Sequence, residues 1–151
     1  MSDFNSSTAS ELGHMIGQCE IDPVELTEYF ISQIELSPNG KKIYSTVTSQ
    51  LALDQAKESR ERAKLGRRLS SLDGVPISWK DLFDIKGYPC EAGSDLLAGR
   101  HADKNCEVYN FAEAHGLICL GKTQMSELAF SGLGLNPIRE TPPCINYPKC
   151  V

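Results

Sequence analysis

Asp73-Gly74-Val75-Pro76-Ile77-Ser78-Trp79-Lys80-Asp81 is an apolar run that leaves a turn and closes on a lysine beside an aspartate. Residues 75–80 read as a strand. Successive side chains of a strand point to opposite faces, so Val75, Ile77 and Trp79 share one face and Pro76, Ser78 and Lys80 the other. Asp81 then points away from Lys80, and the two do not pair automatically. A lysine ending such a strand has two readings. Its ammonium snorkels to water at a sheet edge, or it is held inside a polar cleft. In the cleft, desolvation disfavours the ammonium and the amine can serve as a general base. The strand pattern alone leaves both open.

Downstream, residues 104–115 read as a helix ended by Gly116, and Leu117-Ile118-Cys119-Leu120 is a continuous apolar run of the kind found in buried strands. Gly121-Lys122-Thr123 reads as a turn and residues 125–130 as a short helix, while residues 136–151 hold four prolines and no periodicity. Upstream, the segment Thr8-Ala9-Ser10-Glu11-Leu12-Gly13-His14-Met15-Ile16 offers helix-cap residues, then Leu12, Met15 and Ile16 at helical spacing. Asp22-Pro23-Val24-Glu25 has the cap, first-turn proline and following carboxylate of a second helix, which Ser37-Pro38-Asn39-Gly40 stops. Residues 43–48 are β-branched and aromatic enough for a strand, and residues 50–65 are strong helix formers with a modest apolar stripe, as on a surface helix. Helices and strands alternate, which predicts an α/β layered fold. Pro148-Lys149-Cys150-Val151 closes no element, so residues 1–151 are expected to be the N-terminal portion of one larger, interrupted domain.

Composition narrows the function. With 40% hydrophobic and 23% charged residues the chain is globular rather than disordered. The formal net charge is −5, and the only basic cluster, residues 64–68, follows Glu58 and Glu61 as the basic end of a helix does; nucleic acid is not an expected partner. No stretch approaches the ~20 apolar residues that span a bilayer, and the first ten residues lack the basic and apolar regions of a secretory signal. A cytoplasmic protein with no membrane partner is expected. Six dispersed cysteines, Cys19, Cys90, Cys106, Cys119, Cys144 and Cys150, form no C-x-x-C pair, so reduced thiols are expected, with no metal site and no cofactor.

One motif match fails on mechanism. Gly116-Leu117-Ile118-Cys119-Leu120-Gly121-Lys122-Thr123 fits G-x-x-x-x-G-K-[ST] letter for letter. A phosphate-binding loop needs a strand before its first glycine and exposed N–H groups between the glycines. Here a helix comes first, and the intervening residues are those of the buried strand.

The stretch 73–81 resembles the lysine motif of the amidase-signature family, D-G-V-P-hydrophobic-[SA]-x-K-D. Gly121-Lys122-Thr123-Gln124-Met125-Ser126-Glu127-Leu128-Ala129-Phe130-Ser131-Gly132 is similar to that family's G-K-T-N-M-x-E-F-A-x-S-G segment. Gly87-Tyr88-Pro89 and Ala92-Gly93-Ser94 match its G-x-P-T-T-A-G-S stretch, and residues 22–35 and 44–62 look like its N-terminal region. The resemblance implies the incomplete N-terminal part of a mixed-sheet α/β/α sandwich. It implies hydrolysis of a carbon–nitrogen amide bond through a nucleophilic serine, a bridging cis-serine and a lysine, neutral at rest, that accepts the proton. Of these three, only the lysine carries over, to Lys80. Both family serines belong to a G-G-S-S-G-G-type loop, and residues 1–151 contain none; Ser70-Ser71 precedes Lys80 and lacks the glycines.

Ala129, Phe130 and Ser131 fall where the family lines the acyl side of its pocket; for Ala129 and Phe130 ordinary core packing is the competing reading. Gln124, Glu140 and Cys144 depart from the family's usual Asn, Gly and Asn-Pro. The expected partner of the complete enzyme is a small-molecule amide, and a homodimer stays open. A tRNA-dependent amidotransferase's glutaminase subunit shares the resemblance, although residues 131–137 look more like general amidases. The third alternative is a catalytically inactive fragment that acts only as a folding or binding module. For residues 1–151 alone, without the serines, no hydrolysis is expected.

Overall fold

The structure is a computed structural model, and it describes residues 4–147. Pro148-Lys149-Cys150-Val151, read above as closing no element, lies outside the described residues. Within them the chain forms two compact units. Of the described residues, one is built from 4–33, 48–77 and 110–120, the other from 34–47, 78–109 and 121–147.

The first unit holds helix α1 (Ala9–Gly17), most of α2 (Pro23–Leu36), α4 (Ser49–Lys64) and much of α5 (Glu107–Ala114). The α1 boundary is local chemistry. Thr8 Oγ1 accepts the Glu11 N–H, and the Glu11 carboxylate accepts the Thr8 N–H, the reciprocal capping box. Asp22 Oδ1 accepts the Val24 N–H at the start of α2. One apolar cluster gathers Leu12, Ile16, Leu26 and Val75; the other gathers Ile31, Ala52, Ala56, Ile118 and Leu120. The buried face of α4 is therefore Ala52, Ala56 and Ser59, narrower than the stripe its sequence suggested. Small residues let a helix lie close to its neighbours while its long polar residues stay in water.

Asp73, the first residue of the lysine motif, is buried in this unit. Its two carboxylate oxygens take a paired hydrogen bond from the Arg62 guanidinium at 2.8 Å each, and Oδ2 also accepts the Leu69 N–H. Burial pushes this carboxyl up, but those hydrogen bonds outweigh it and hold it below its ordinary value. Gly116 packs against it at φ +81°, where a Cβ would overlap the Asp73 carboxylate. The helix-ending glycine and the aspartate are one feature.

The sheet has the order β1-β3-β2, with β1 Tyr44–Val47, β2 Pro76–Lys80 and β3 Ile118–Thr123. It is mixed, as the resemblance implies. β1 runs antiparallel to β3. Gly74, Val75 and Asp81 bond Gly116, Ile118 and Thr123 in rising order, so β2 is parallel to β3, and such a pair needs a crossover, which here contains α5.

Three expectations are corrected. Gly121-Lys122-Thr123 is not a turn but the second half of β3, paired with Val47, Thr46 and Tyr44. Gly121 is required there, because a Cβ would overlap the Thr46 carbonyl oxygen. The short helix expected at 125–130 shrinks to a 3-10 turn, Glu127–Ala129. A further short helix, α3 (Gly40–Ile43), precedes β1 and takes the first residue of the strand expected at 43–48.

Candidate active site

In the second unit β2 delivers Lys80 to an open cleft of about 430 Å³, lined among others by Gln124, Met125, Ser126, Ala129 and Ser131. The alternation read from the sequence is present: Val75 and Trp79 are buried, Ser78 and Lys80 exposed. Trp79 packs edge-on to Phe83 and at a tilt to Tyr109, which anchors the strand end from its apolar face. On the other face, Lys80 Nζ donates to the Gln124 carbonyl at 3.1 Å. Ser78 Oγ lies 2.6 Å from the Tyr44 hydroxyl. Lys80 is thus neither buried nor loose; one backbone carbonyl holds it at a cleft.

Asp81 turns away from Lys80, as alternation requires, and faces Lys122, whose Nζ is 3.0 Å from Asp81 Oδ1 in an ion-pair contact. Lys122 is fully buried and also donates to the Pro89 carbonyl at 2.6 Å. A lysine so enclosed cannot reach a phosphate, and residues 118–123 are strand, so the nucleotide-loop pattern has no loop to act through.

The cleft wall is held by residues of the other family-like stretches. Ala92 donates its N–H to the Asp81 carbonyl and accepts the Leu128 N–H. Ser94 Oγ donates to Glu127 Oε1 at 2.7 Å. Asn136 Nδ2 donates to the carbonyls of Gly93 and Met125, both at 2.8 Å, which ties the later loop to the wall. Arg139 then pairs with Asp95 at 2.7 Å and Glu91 at 3.3 Å. Leu128 and Ala129 both have left-handed backbone, φ +50° and +60°. This conformation costs a non-glycine residue of order 1 kcal/mol, and it is held here by the surrounding hydrogen bonds.

Of the expected pocket residues, Ala129 and Ser131 line the cleft, whereas Phe130 does not line it and is 94% exposed. Ala129 and Phe130 are both exposed rather than packed in a core of the described residues. Ser70, the tempting substitute nucleophile, spends its hydroxyl on the His115 carbonyl. Sequence reasoning missed the Gln124 carbonyl, Tyr44 and Glu140, which also lines the cleft. No residue-type signal marks a backbone carbonyl. The departure of Glu140 from the family pattern was the one available pointer. Among the described residues no group of three or more His, Cys, Asp or Glu could hold a metal ion, and no helix is long and apolar enough to cross a membrane.

The family model described as Amidase matches residues 25–144. A glutamyl-tRNA(Gln) amidotransferase subunit from Acinetobacter baylyi is 34% identical over 129 residues, covering 85% of this chain and 26% of that protein. The native peptide amidase of Stenotrophomonas maltophilia superposes with a TM-score of 0.75 at 23% identity, over 82% of this chain and 26% of that one. A bacterial aryl acylamidase of the amidase-signature enzymes gives 0.80 at 25% identity, over 91% and 29%. The chain spans about a quarter of the length of the curated relatives it matches.

Proposed function

The chain belongs to the amidase family, and on that premise we propose that it supplies the lysine of an amide-hydrolysing site, Lys80, as the N-terminal portion of a single amidase domain. What carries the reading is the placement of the Lys80 amine, bonded to the Gln124 carbonyl in a cleft lined by Ala129 and Ser131. In the complete enzyme a serine hydroxyl attacks the amide carbonyl, and its proton passes through a bridging serine to Lys80. The new C–O bond gives an acyl-enzyme. The C–N bond breaks as the amine leaves with the proton returned by the same path, and water then releases the acid. Backbone N–H groups of the serine loop would stabilise the oxyanion. The substrate is a small-molecule amide.

A second reading is favoured by the curated relatives, which are glutamyl-tRNA(Gln) amidotransferase subunits: the amide would then be that of glutamine. The two separate on substrate. A protein in which this segment is followed by the serine-bearing remainder of the fold should hydrolyse aryl and peptide amides without other subunits. Hydrolysis confined to glutamine would favour the amidotransferase reading. Hydrolysis of neither would leave the inactive-fragment alternative.

A further inference from the structure

Lys122 is the chemistry-bearing residue that the proposed reaction does not use. It is the only lysine among the described residues with no exposed surface, and it sits in a sequence pattern that the structure strips of its usual meaning. A buried ammonium is costly unless its partners are well placed, so its surroundings report what it holds together.

Those surroundings are the two chain segments that define the position of Lys80. Asp81 follows Lys80 directly and is 3% exposed. Its N–H donates to the Thr123 carbonyl at 3.1 Å, and its carbonyl accepts the Ala92 N–H at 3.0 Å and a contact from Cys90 Sγ at 3.4 Å. Its carboxylate meets Lys122 Nζ through Oδ1 and the Glu91 N–H, at 3.3 Å, through Oδ2. Lys122 lies two residues before Gln124, whose carbonyl receives the Lys80 amine. The main chain of Lys122 is itself fixed, its carbonyl accepting Ser45 Oγ at 3.1 Å. Thr123 Oγ1 completes the tie by donating to the Trp79 carbonyl at 3.2 Å. The exits of β2 and β3 are thus bolted together at one charged contact. If either slides, a charge is left buried without its counterion.

We propose that the buried Asp81–Lys122 pair positions Lys80, setting the strand end that carries its amine against the Gln124 carbonyl that receives it. Lys122 is a positioning residue that touches no substrate. The functional weight of this inference rests on Lys80 being the proton acceptor, but the positioning can be read without turnover.

The test is carbon-13 NMR of the lysine Cε methylenes in the 1–151 chain, with the Lys80 resonance assigned by its loss in Lys80→Ala. Lys122→Met removes the charge. The double variant Asp81→Leu/Lys122→Met replaces the pair with apolar side chains, a change that buried pairs often tolerate. Lys57→Met, at an exposed ion pair, is the control. In the parent chain the Lys80 methylene, held at the Gln124 carbonyl, should stand apart from the other exposed lysines with restricted motion. In whichever pair variant stays folded by circular dichroism, it should merge with them and gain their mobility, while Lys57→Met leaves it unchanged. An unmoved Lys80 resonance in a folded pair variant overturns the inference. So does failure of both pair variants to fold, which would make the pair a stability element only. Hydrolysis surviving Lys80→Ala in the serine-bearing protein would sink the base assignment instead, and leave the methylene result standing.

Discussion

Met125 and Phe130 are both large and apolar, five residues apart, and have opposite fates: Met125 is buried, while Phe130 is 94% exposed. The left-handed residues Leu128 and Ala129 redirect the chain between them, and neither is a glycine that would have announced the bend. Removing an exposed ring forfeits little burial, so Phe130→Ala should change unfolding free energy by less than about 0.5 kcal/mol in urea titration. Gly116 is the contrary case. It needs a positive φ, and a Cβ would collide with the buried Asp73, so Gly116→Ala should cost about 2 kcal/mol or more on the same measurement. A loss under about 0.5 kcal/mol would mean that the β3 entry rearranges freely. Residues of this kind were legible where the residue type itself forces the backbone, as at Gly116. They were not legible where neighbours impose the bend.

Among elements, α1, α2 and α4 came through almost at their boundaries, because the signals that begin them are local, whereas α3 was not foreseen and the helix expected at 125–130 is only a 3-10 turn. Thr8 with Glu11, and Asp22 before Pro23, act within a few residues of themselves. β3 did not, because its second half exists through pairing with β1, and no window around Gly121 contains Tyr44–Val47. The aspartate that opens the lysine motif also has its meaning only across elements. Asp73 ties the end of α4 to the loop before β2 through Arg62, Leu69 and Arg68. Asp73→Ala should destabilise the chain by about 3 kcal/mol, the low end for breaking a buried pair because Arg62 keeps some access to water. The acid dependence follows in sign. Hydrogen bonds from Arg62 and Leu69 lower the folded Asp73 carboxyl, so its contribution is complete above the unfolded carboxylate value of about 4 and fades as pH falls through the lower folded one. Asp84, held down to about 2 chiefly by its hydrogen bonds from Arg100, adds a smaller, water-screened contribution of the same sign. Thermal melts should therefore be level from about pH 7 to 5 and fall below about 4, with a shallower fall in Asp73→Ala. Equal slopes in the two proteins would remove Asp73 from the account.

For the molecule as a whole, sequence reading reached the family through several co-linear motifs, one of which singled out Lys80 as the candidate base. The rest of the site lay beyond it. A cleft is made by loops that meet in space, and its carbonyl, Asn136 clamp and Arg139 pairs have no shared sequence window. The second unit also leaves Phe130, Ile145, Leu96 and Leu133 more than 70% exposed. Apolar surface on this scale attracts partners or dye, so residues 1–151 should bind an environment-sensitive naphthalene sulfonate in native buffer, and should show no turnover of an aryl amide. Turnover that Lys80→Ala abolished would contradict the need for the serine loop.

The claim at the centre is that Lys80 accepts the nucleophile's proton. It is tested most directly by kcat for aryl-amide hydrolysis in a protein that joins this segment to a serine-bearing remainder of the family fold, compared with Lys80→Ala. The account predicts a fall in kcat of about a thousandfold or more with KM little changed, because a nucleophile without its base still binds substrate. A fall of less than about tenfold would contradict it and return Lys80 to the role of a lysine snorkelling at a strand end.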